Sequence, residues 1–588
     1  MSATHAEPHA KEIHDAEELL FTGPQRQGLA KGLFFGRFIT DWVMPYPALS
    51  SEQREKLDAA LPELRRFLDE KLDPAAIDRN ADIPREVIDG LARLGVLGMS
   101  APVEFGGHGF SQMACVRVLE EIGSRCASTS VFVNAHHSIG IRALLLFGTP
   151  EQKRRWLPPL VSGEKLAAFA LTEPEAGSDA ANVQTRAELS ADGTHYILNG
   201  EKRYITNAAI AQVLTVMART KTPGGDETAV TAFLVTPDMP GFSVTEPRME
   251  KLGIRGTATG RLAFRDMRVP RENILGPLGK GLKVALSVLD FGRTTFGACC
   301  TGAAKTCLRL ATHHARTRRQ FGHTLGDFEL IKKKIARMSA NAYAMEAMTT
   351  VTASLIDRGL EDYMIETAML KVFTTEALWQ IVNDAFQIHG GAAYFTDLPL
   401  ERILRDARIN HIGEGANEVL TSFIALVGMR GPGMQLKEIW DALHHPFGHL
   451  RKAWRAGWDR AGAALHAPSV PVKSDALHPH AHRLSRLIWR FNLAVDRALI
   501  WHREEILDRQ YVQERIANAA MELFASACVL SRWDADMQAG LMHHDRAAGL
   551  FLRESSRRTR QFLAGLRDND DEVINAAAEA VLRHEGTL

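Results

Sequence analysis

The spacing of apolar residues changes twice along this chain, and that change constrains the fold more than any single motif does. From Ser50 to about Ser162 apolar residues recur at helical spacing, with breaks expected at Pro62, Pro74, Pro84 and Pro150. From about Leu166 to Pro270 the period becomes two. FALTEP, TRAELS, HYILNGEKRYIT, VLTVMART, AVTAFLV, FSVTEP and GRLAFRDMRVP read as short strands, separated by turn signals such as Asp192-Gly193 and Gly224-Gly225-Asp226. After Gly281 helical spacing returns, with helices expected from about Phe328 to Ile356, Asp362 to Ile388, Leu398 to Gly413 and from Ala416 onward. The chain is therefore expected to be mainly α with a central all-β domain. Its expected parts are an N-terminal extension (1–49), a helical domain (50–165), the β-domain (166–277), a second helical domain (278–432) and a C-terminal helical domain (433–588). HAPSVPVKSDALHPHAH reads as a mobile loop in the last of these, and EFGGHGF, Glu104 to Phe110, as a turn.

A chain of 588 residues is long enough for several cores. Its formal net charge of zero argues against a general nucleic-acid binder. No apolar run approaches the roughly 20 residues needed to span a bilayer. The first residues carry acids and no arginine, unlike a transit peptide, and the final EGTL is no peroxisomal address. Cys115, Cys126, Cys299, Cys300, Cys307 and Cys528 show neither CxxC pairing nor metal-ligand spacing, so no metal is expected. They read as small buried residues of a reducing compartment, such as a bacterial cytoplasm or the inner face of its membrane. Near 450–465, Leu450, Trp454, Trp458, Ala461 and Leu465 share a face flanked by Arg451, Lys452, Arg455 and Arg460. That pattern suits either a peripheral membrane contact or packing on the domain's own core.

One carboxylate stands out. In NHIGEGANEVL, Glu414 lies between Gly413 and Gly415, where a ligand can approach without meeting a neighbouring side chain. Such a carboxylate can act as a base on a carbon next to a carbonyl, although an isolated Gly-Glu-Gly is usually a solvated loop tip.

FALTEPEAGSD (Phe169 to Asp179), NGEKRYITN, RRQFG, QIHGG and GEGANE occur together in an order and spacing that resembles the acyl-CoA dehydrogenase family. FFGRFITDWVMPYP near the start and FIALVGM after the glutamate are most similar to its very-long-chain branch, which carries an extra C-terminal helical domain. The resemblance implies an FAD enzyme of the acyl-CoA dehydrogenase fold that converts an acyl-CoA thioester, expected to be long-chain, to the trans-2-enoyl-CoA. It also implies electron-transfer flavoprotein as acceptor and a homodimer. Glu414 would be the catalytic base. FAD would be held by Phe169, Leu171, Thr172, Gly177 and Ser178, by Tyr204, Ile205 and Thr206, and by Ala416, Asn417 and Glu418. Arg318, Gln320 and Phe321, with Gln387, Ile388, Gly390 and Gly391, would reach the FAD of a neighbouring chain. Arginine suits this role because a guanidinium binds pyrophosphate through parallel hydrogen bonds.

Substrate contacts would fall on Ser178, Gly413 and Gly415, and on Ser130 and Asn134 toward the deep end of the acyl tunnel. The resemblance places Asp290 and Arg293 at the CoA portion or the base of the acyl chain, while a salt-bridged helix pair is the competing reading. The chain departs from the family with Tyr204 in place of tryptophan, and with Gly413 and Ala416 in place of an aromatic residue and a threonine. Ser130 and Asn134 also replace small residues. Two other functions fit the same motifs: an oxidase that uses O₂, and a flavin-binding assembly protein with little activity.

Overall fold

The computed structural model describes residues 27–222, 228–444, 457–458, 460 and 462–583. They form two compact units: one built from Ala48–Ala416, the other from Gln27–Pro47 together with Asn417–Leu588.

In the first unit, helices α1 (Ser51–Lys71), α2 (Gln112–Gly123) and α3 (Ala127–Val133) precede the sheet. Helices α4 (Gly281–Thr317), α5 (Glu329–Asp357), α6 (Met364–His389) and α7 (Leu400–Arg408) follow it. Pro62 lies inside α1 instead of ending it. It sits on the exposed face, where water can satisfy the carbonyl that loses its partner. Pro74 and Pro150 do mark helix starts. A π-helical stretch, Asn134–Ile141, extends α3, and with the following turn it makes Ala127–Phe147 long and apolar enough by composition to cross a membrane. The sequence reading found no such run. The stretch is 72% buried within the protein, as befits a core helix.

The strands follow the period-two segments: β1 (Ala167–Ala170), β2 (Arg186–Leu189), β3 (His195–Ile205), β4 (Val213–Lys221), β5 (Thr228–Val235), β6 (Phe242–Glu246) and β7 (Gly260–Pro270), with a short β8 (Ile274–Leu275). They form one mixed sheet in the order β6-β7-β3-β2-β4-β5-β8, with β1 parallel to β4. Gly193 takes the left-handed conformation that the Asp-Gly turn requires, whereas Gly224, Gly225 and Asp226 lie outside the described residues. The register of β3 against β7 slips between Lys202 and Ile205. A bulge of this kind re-aims side chains, and within it Tyr204 adopts φ +60°.

Close backbone contact sets α4 against α2. A Cβ on Gly302 would stand 2.1 Å from the Glu120 carbonyl oxygen, and one on Gly123 would stand 2.7 Å from the Cys299 Cα. Helix α7 stops at Arg408, short of the expected Gly413. The chain tightens into a 3-10 turn, Ile409–His411, and the Ile409 carbonyl accepts from both Ile412 and Gly413. All six cysteines are free and buried.

The second unit contains Asn417–His444, His478–His502, Gln510–Gln538, Asp545–Gly565 and Asp571–Arg583 as helices. Residues 27–47, expected as part of an extension, belong to this unit. Phe34 of the short helix Leu29–Phe34 stacks edge-on against Phe491 at 5.0 Å, over Gly428, and Ser531 donates to the Val43 carbonyl. The segment expected to be a mobile loop is tied down. Asp534 accepts from the backbone N–H of Lys473 and Ser474, both at 2.9 Å, and Ser485 donates to the Pro468 carbonyl. Helix starts already at His478, because Pro479 in its first turn favours initiation. Of the basic helix near 450–465, Leu450, Arg451, Lys452, Trp454, Arg455 and Ala461 lie outside the described residues. Trp458 and Leu465 are exposed, while Arg460 is buried and paired with Asp496 instead of facing outward.

Candidate active site

Glu414 sits in the turn that follows Ile409–His411, at φ +59°, with Gly415 at φ +94°. The left-handed conformation costs a non-glycine residue about 1–2 kcal/mol, so something must hold it. Lys371 on α6 donates to the Gly415 carbonyl at 2.7 Å, and the Arg293 Nε on α4 reaches the Glu414 carbonyl at 3.4 Å. Arg293 pairs through Nη1 with Asp290 at 3.0 Å, and Asp290 also accepts from the Thr367 hydroxyl at 2.9 Å. Both members of the pair are buried. The structure thus realises the salt-bridged alternative for Asp290 and Arg293, and directs the arginine to the backbone of the glutamate loop.

The Glu414 side chain packs against Gly292. A Cβ there would lie 3.3 Å from Glu414 Oε2 and 3.2 Å from the Ile139 side chain. Oε2 is sealed from solvent and has no hydrogen-bond partner. Burial pushes the carboxyl above the ordinary carboxylate range, and the charges of Arg293 and Lys371 pull against that shift. A carboxyl with one oxygen sealed and unpaired and with a raised pKa has the chemistry of a general base.

Away from Glu414, α4 and the α3 segment meet in successive pairs. Ile139 faces Gly292, the Asn134 carboxamide oxygen accepts from the Thr295 hydroxyl, and Ser130 lies beside the Cys299 thiol. Ser130, Phe296, Cys299 and Cys300 contribute to the wall of a cavity of about 40 Å³. Along the two helices the Asn134–Thr295 pair comes between the Ile139–Gly292 contact and the Ser130–Cys299 contact.

The sheet presents a second surface. Buried Glu173 pairs with buried Lys202 at 2.6 Å and accepts from the Thr185 hydroxyl at 2.6 Å, while Lys202 also donates to the Leu171 carbonyl at 3.0 Å. Arg203 N–H donates to the Thr172 carbonyl. These bonds fix the loop root and leave Gly177 and Ser178 exposed. Tyr204 is 57% exposed, with the Arg203 guanidinium 4.7 Å from its ring centre. Phe169, Leu171, Thr172 and Thr206 are half-buried, and Ile205 faces the sheet core, so only its backbone is open to a ligand. An open aromatic face, nearby hydroxyls and a glycine with nothing within 4 Å of its Cβ position fit the ring and polar edge of a flavin.

Arg318, Gln320 and Phe321 are exposed in a small hairpin after α4; Phe321 is 90% exposed at φ +52°. Gln387, Gly390 and Gly391 are exposed at the end of α6, while Ile388 is buried in the core between helices. Stacking of His314 on His389 at 4.3 Å joins these two ends. Asn417 and Glu418 open the helix Asn417–His444.

Three family models in sequence, the N-terminal, middle and C-terminal domains of acyl-CoA dehydrogenase, match residues 54–164, 168–267 and 279–428. A fourth, the ACAD9/ACADV C-terminal domain, matches 475–587. The human mitochondrial very long-chain specific acyl-CoA dehydrogenase is 36% identical over 93% of this chain and 85% of its own. The chain belongs to the acyl-CoA dehydrogenase family. The probable acyl-CoA dehydrogenase FadE10 of Mycobacterium tuberculosis is 33% identical over 96% of this chain and 90% of its own. Among solved structures, an acyl-CoA dehydrogenase complexed with FAD from Bacillus anthracis superposes with a TM-score of 0.76 at 29% identity, covering 93% of this chain and 94% of that one. Butyryl-CoA dehydrogenase from Megasphaera elsdenii, with a TM-score of 0.61 and 33% identity, covers 65% of this chain and all of its own.

Within this acyl-CoA dehydrogenase, the sequence reading missed Glu173, Lys202, Gly292, Thr295, Thr367 and Lys371. Lys202 carried a signal: alternation along β3 puts it on the same inward face as Tyr196 and Leu198. A lysine on the buried parity of a strand needs a buried acid nearby.

Proposed function

We infer that the protein is an FAD-dependent acyl-CoA dehydrogenase, in which Glu414 takes the proton from Cα of an acyl-CoA thioester. The observation that carries this reading is the Glu414 side chain, with Oε2 sealed from solvent and without a hydrogen-bond partner, held against Gly292 by a clamped turn. Its raised pKa brings it closer to the weakly acidic α-proton than a solvated glutamate would be. The Glu414 backbone N–H is assigned to the thioester oxygen, where a donor lowers the cost of the developing enolate by roughly 3 kcal/mol. Bound FAD would supply the acceptor for the hydride that leaves Cβ. Thr172, Ser178, Tyr204 and Thr206 are assigned to hold it on the sheet side. Arg318, Gln320, Phe321, Gln387, Gly390 and Gly391 are assigned to a second subunit's cofactor, and their exposure supports that assignment; buried Ile388 is left to its backbone. Sedimentation of the holoprotein as a monomer would count against this arrangement. Electron-transfer flavoprotein is proposed as the acceptor, and stoichiometric peroxide during turnover would argue for an oxidase instead. A peripheral membrane contact through the segment near 450–465 is also proposed; exposed Trp458 and Leu465 support it, and a liposome flotation assay tests it.

Glu414→Gln should retain the yellow flavin and slow its anaerobic bleaching by acyl-CoA at least about a hundredfold. Bleaching at the parent rate would remove the assignment, and absence of bleaching by any acyl-CoA in the parent protein would favour an assembly role.

A further inference from the structure

Two buried cations close on the backbone of the Glu414 turn from different helices. Arg293 comes from α4; Lys371 comes from α6, is fully buried, and places Nζ 2.7 Å from the Gly415 carbonyl. Thr367, one turn earlier on α6, donates to the Asp290 that anchors Arg293, so α6 governs both contacts. A neutral donor would satisfy the Gly415 carbonyl equally well. An ammonium group in this position carries a desolvation cost that a nearby negative charge offsets.

The ionisable groups around it are few. Helix α4 contributes Asp290, Arg293 and Cys300; α6 contributes Lys371 and Glu376; the Ile409–His411 turn contributes His411, 3.5 Å from Glu376; the stretch Asn134–Ile141 contributes the apolar Ile139. Among the described residues, Arg293 and Lys371 are the cations that act on the Glu414 carboxyl. Burial in turn pushes the Lys371 ammonium down to about 8, with Cys300 and Glu414 resisting.

We propose that Lys371 is a positioning residue for the proton-abstracting carboxylate: it fixes the turn at Glu414–Gly415, and its charge keeps the Glu414 side chain ionised in a dry pocket. This rests on the reading of Glu414 as the base. Removing a neighbouring cation favours the protonated carboxyl, so activity is lost at neutral pH and returns as pH rises.

The test is anaerobic single-turnover flavin reduction by an acyl-CoA, followed across about pH 6–9, the range in which such bases titrate. Lys371→Met, Lys371→Gln and Glu414→Gln are compared with the parent holoenzyme. Both lysine variants are expected to keep FAD, to move the midpoint of the pH profile up by about one unit and to reduce flavin about tenfold or more slower at neutral pH. Lys371→Gln, which keeps a donor for the Gly415 carbonyl, should share the shift but retain more of the limiting rate at high pH. An unshifted midpoint in both lysine variants, with Glu414→Gln inactive, overturns the proposal and leaves the base assignment standing. If Lys371→Met does not fold, the midpoint of Lys371→Gln decides. Parent-rate reduction by Glu414→Gln overturns the base assignment, and the proposal with it.

Discussion

A missing side chain at position 292 matters as much to this site as the carboxylate it accommodates. Gly292 lies in the interior of α4, where alanine would ordinarily stabilise the helix by roughly 0.5–1 kcal/mol. Here an added methyl would press on both Glu414 Oε2 and Ile139, which would have to give by a few tenths of an ångström. Gly292→Ala should therefore leave the melting temperature nearly unchanged while slowing flavin reduction by about tenfold or more, since small misplacements of a reacting group carry large rate penalties. Rapid-mixing reduction and a thermal melt on the same sample separate the two effects. In the parent enzyme the reduction rate should rise with pH through a midpoint above the ordinary glutamate value of about 4.3, because the raised carboxyl must lose its proton before it can accept one. Glu414 was singled out in the sequence by its glycine neighbours and the motifs around it. Lys371 was not: in AMLKVF it is one polar residue in an apolar helix, and only the tertiary fold reveals the carbonyl it meets.

Among the elements, the strands were the most readable, because a half-buried strand writes its two faces into alternate residues. What alternation cannot show is a bulge. The slip between Lys202 and Ile205 turns Tyr204 outward, while Lys202 stays inside to grip the Glu173 carboxylate. Burial raises the Glu173 carboxyl, but the Lys202 charge and its hydrogen bonds outweigh that and hold it below its usual value. Taking away one partner leaves a charge buried alone, at a cost of about 3–5 kcal/mol. Lys202→Met should therefore lower the melting temperature and release FAD on gel filtration more readily than Tyr204→Ala, which touches only the exposed ring. Equal flavin retention by the two variants would show that the loop does not depend on this pair. Helix ends were read less well than helix centres. Pro62 was tolerated on an exposed face, and α7 gave way to a tighter turn before the glycine that marks its sequence.

For the molecule as a whole, the three-part catalytic architecture was readable from the two changes of apolar period, whereas the additional C-terminal domain, helical like the one before it, was readable only through the resemblance. The contact that Asn134 makes was not readable, because its partner Thr295 lies far away in sequence. The Asn134–Thr295 hydrogen bond lies one helical turn from Ser130 and Cys299, which line a small cavity. Asn134→Gly should shift the profile of flavin reduction toward longer acyl chains, while leaving the rate with short ones within about threefold, as the base and its clamp are untouched. An unaltered chain-length profile would place the limit elsewhere. The segment Gln27–Pro47 has a separate consequence. Its partners lie beyond residue 417, so Phe34 and Val43 are structurally part of the opposite end of the polypeptide. Anyone who shortens this protein to the size of its butyryl-CoA-oxidising relative must trim both termini. A deletion at the carboxyl end alone would leave a greasy stub without its host, and the insolubility that followed could be mistaken for a failure of the catalytic core.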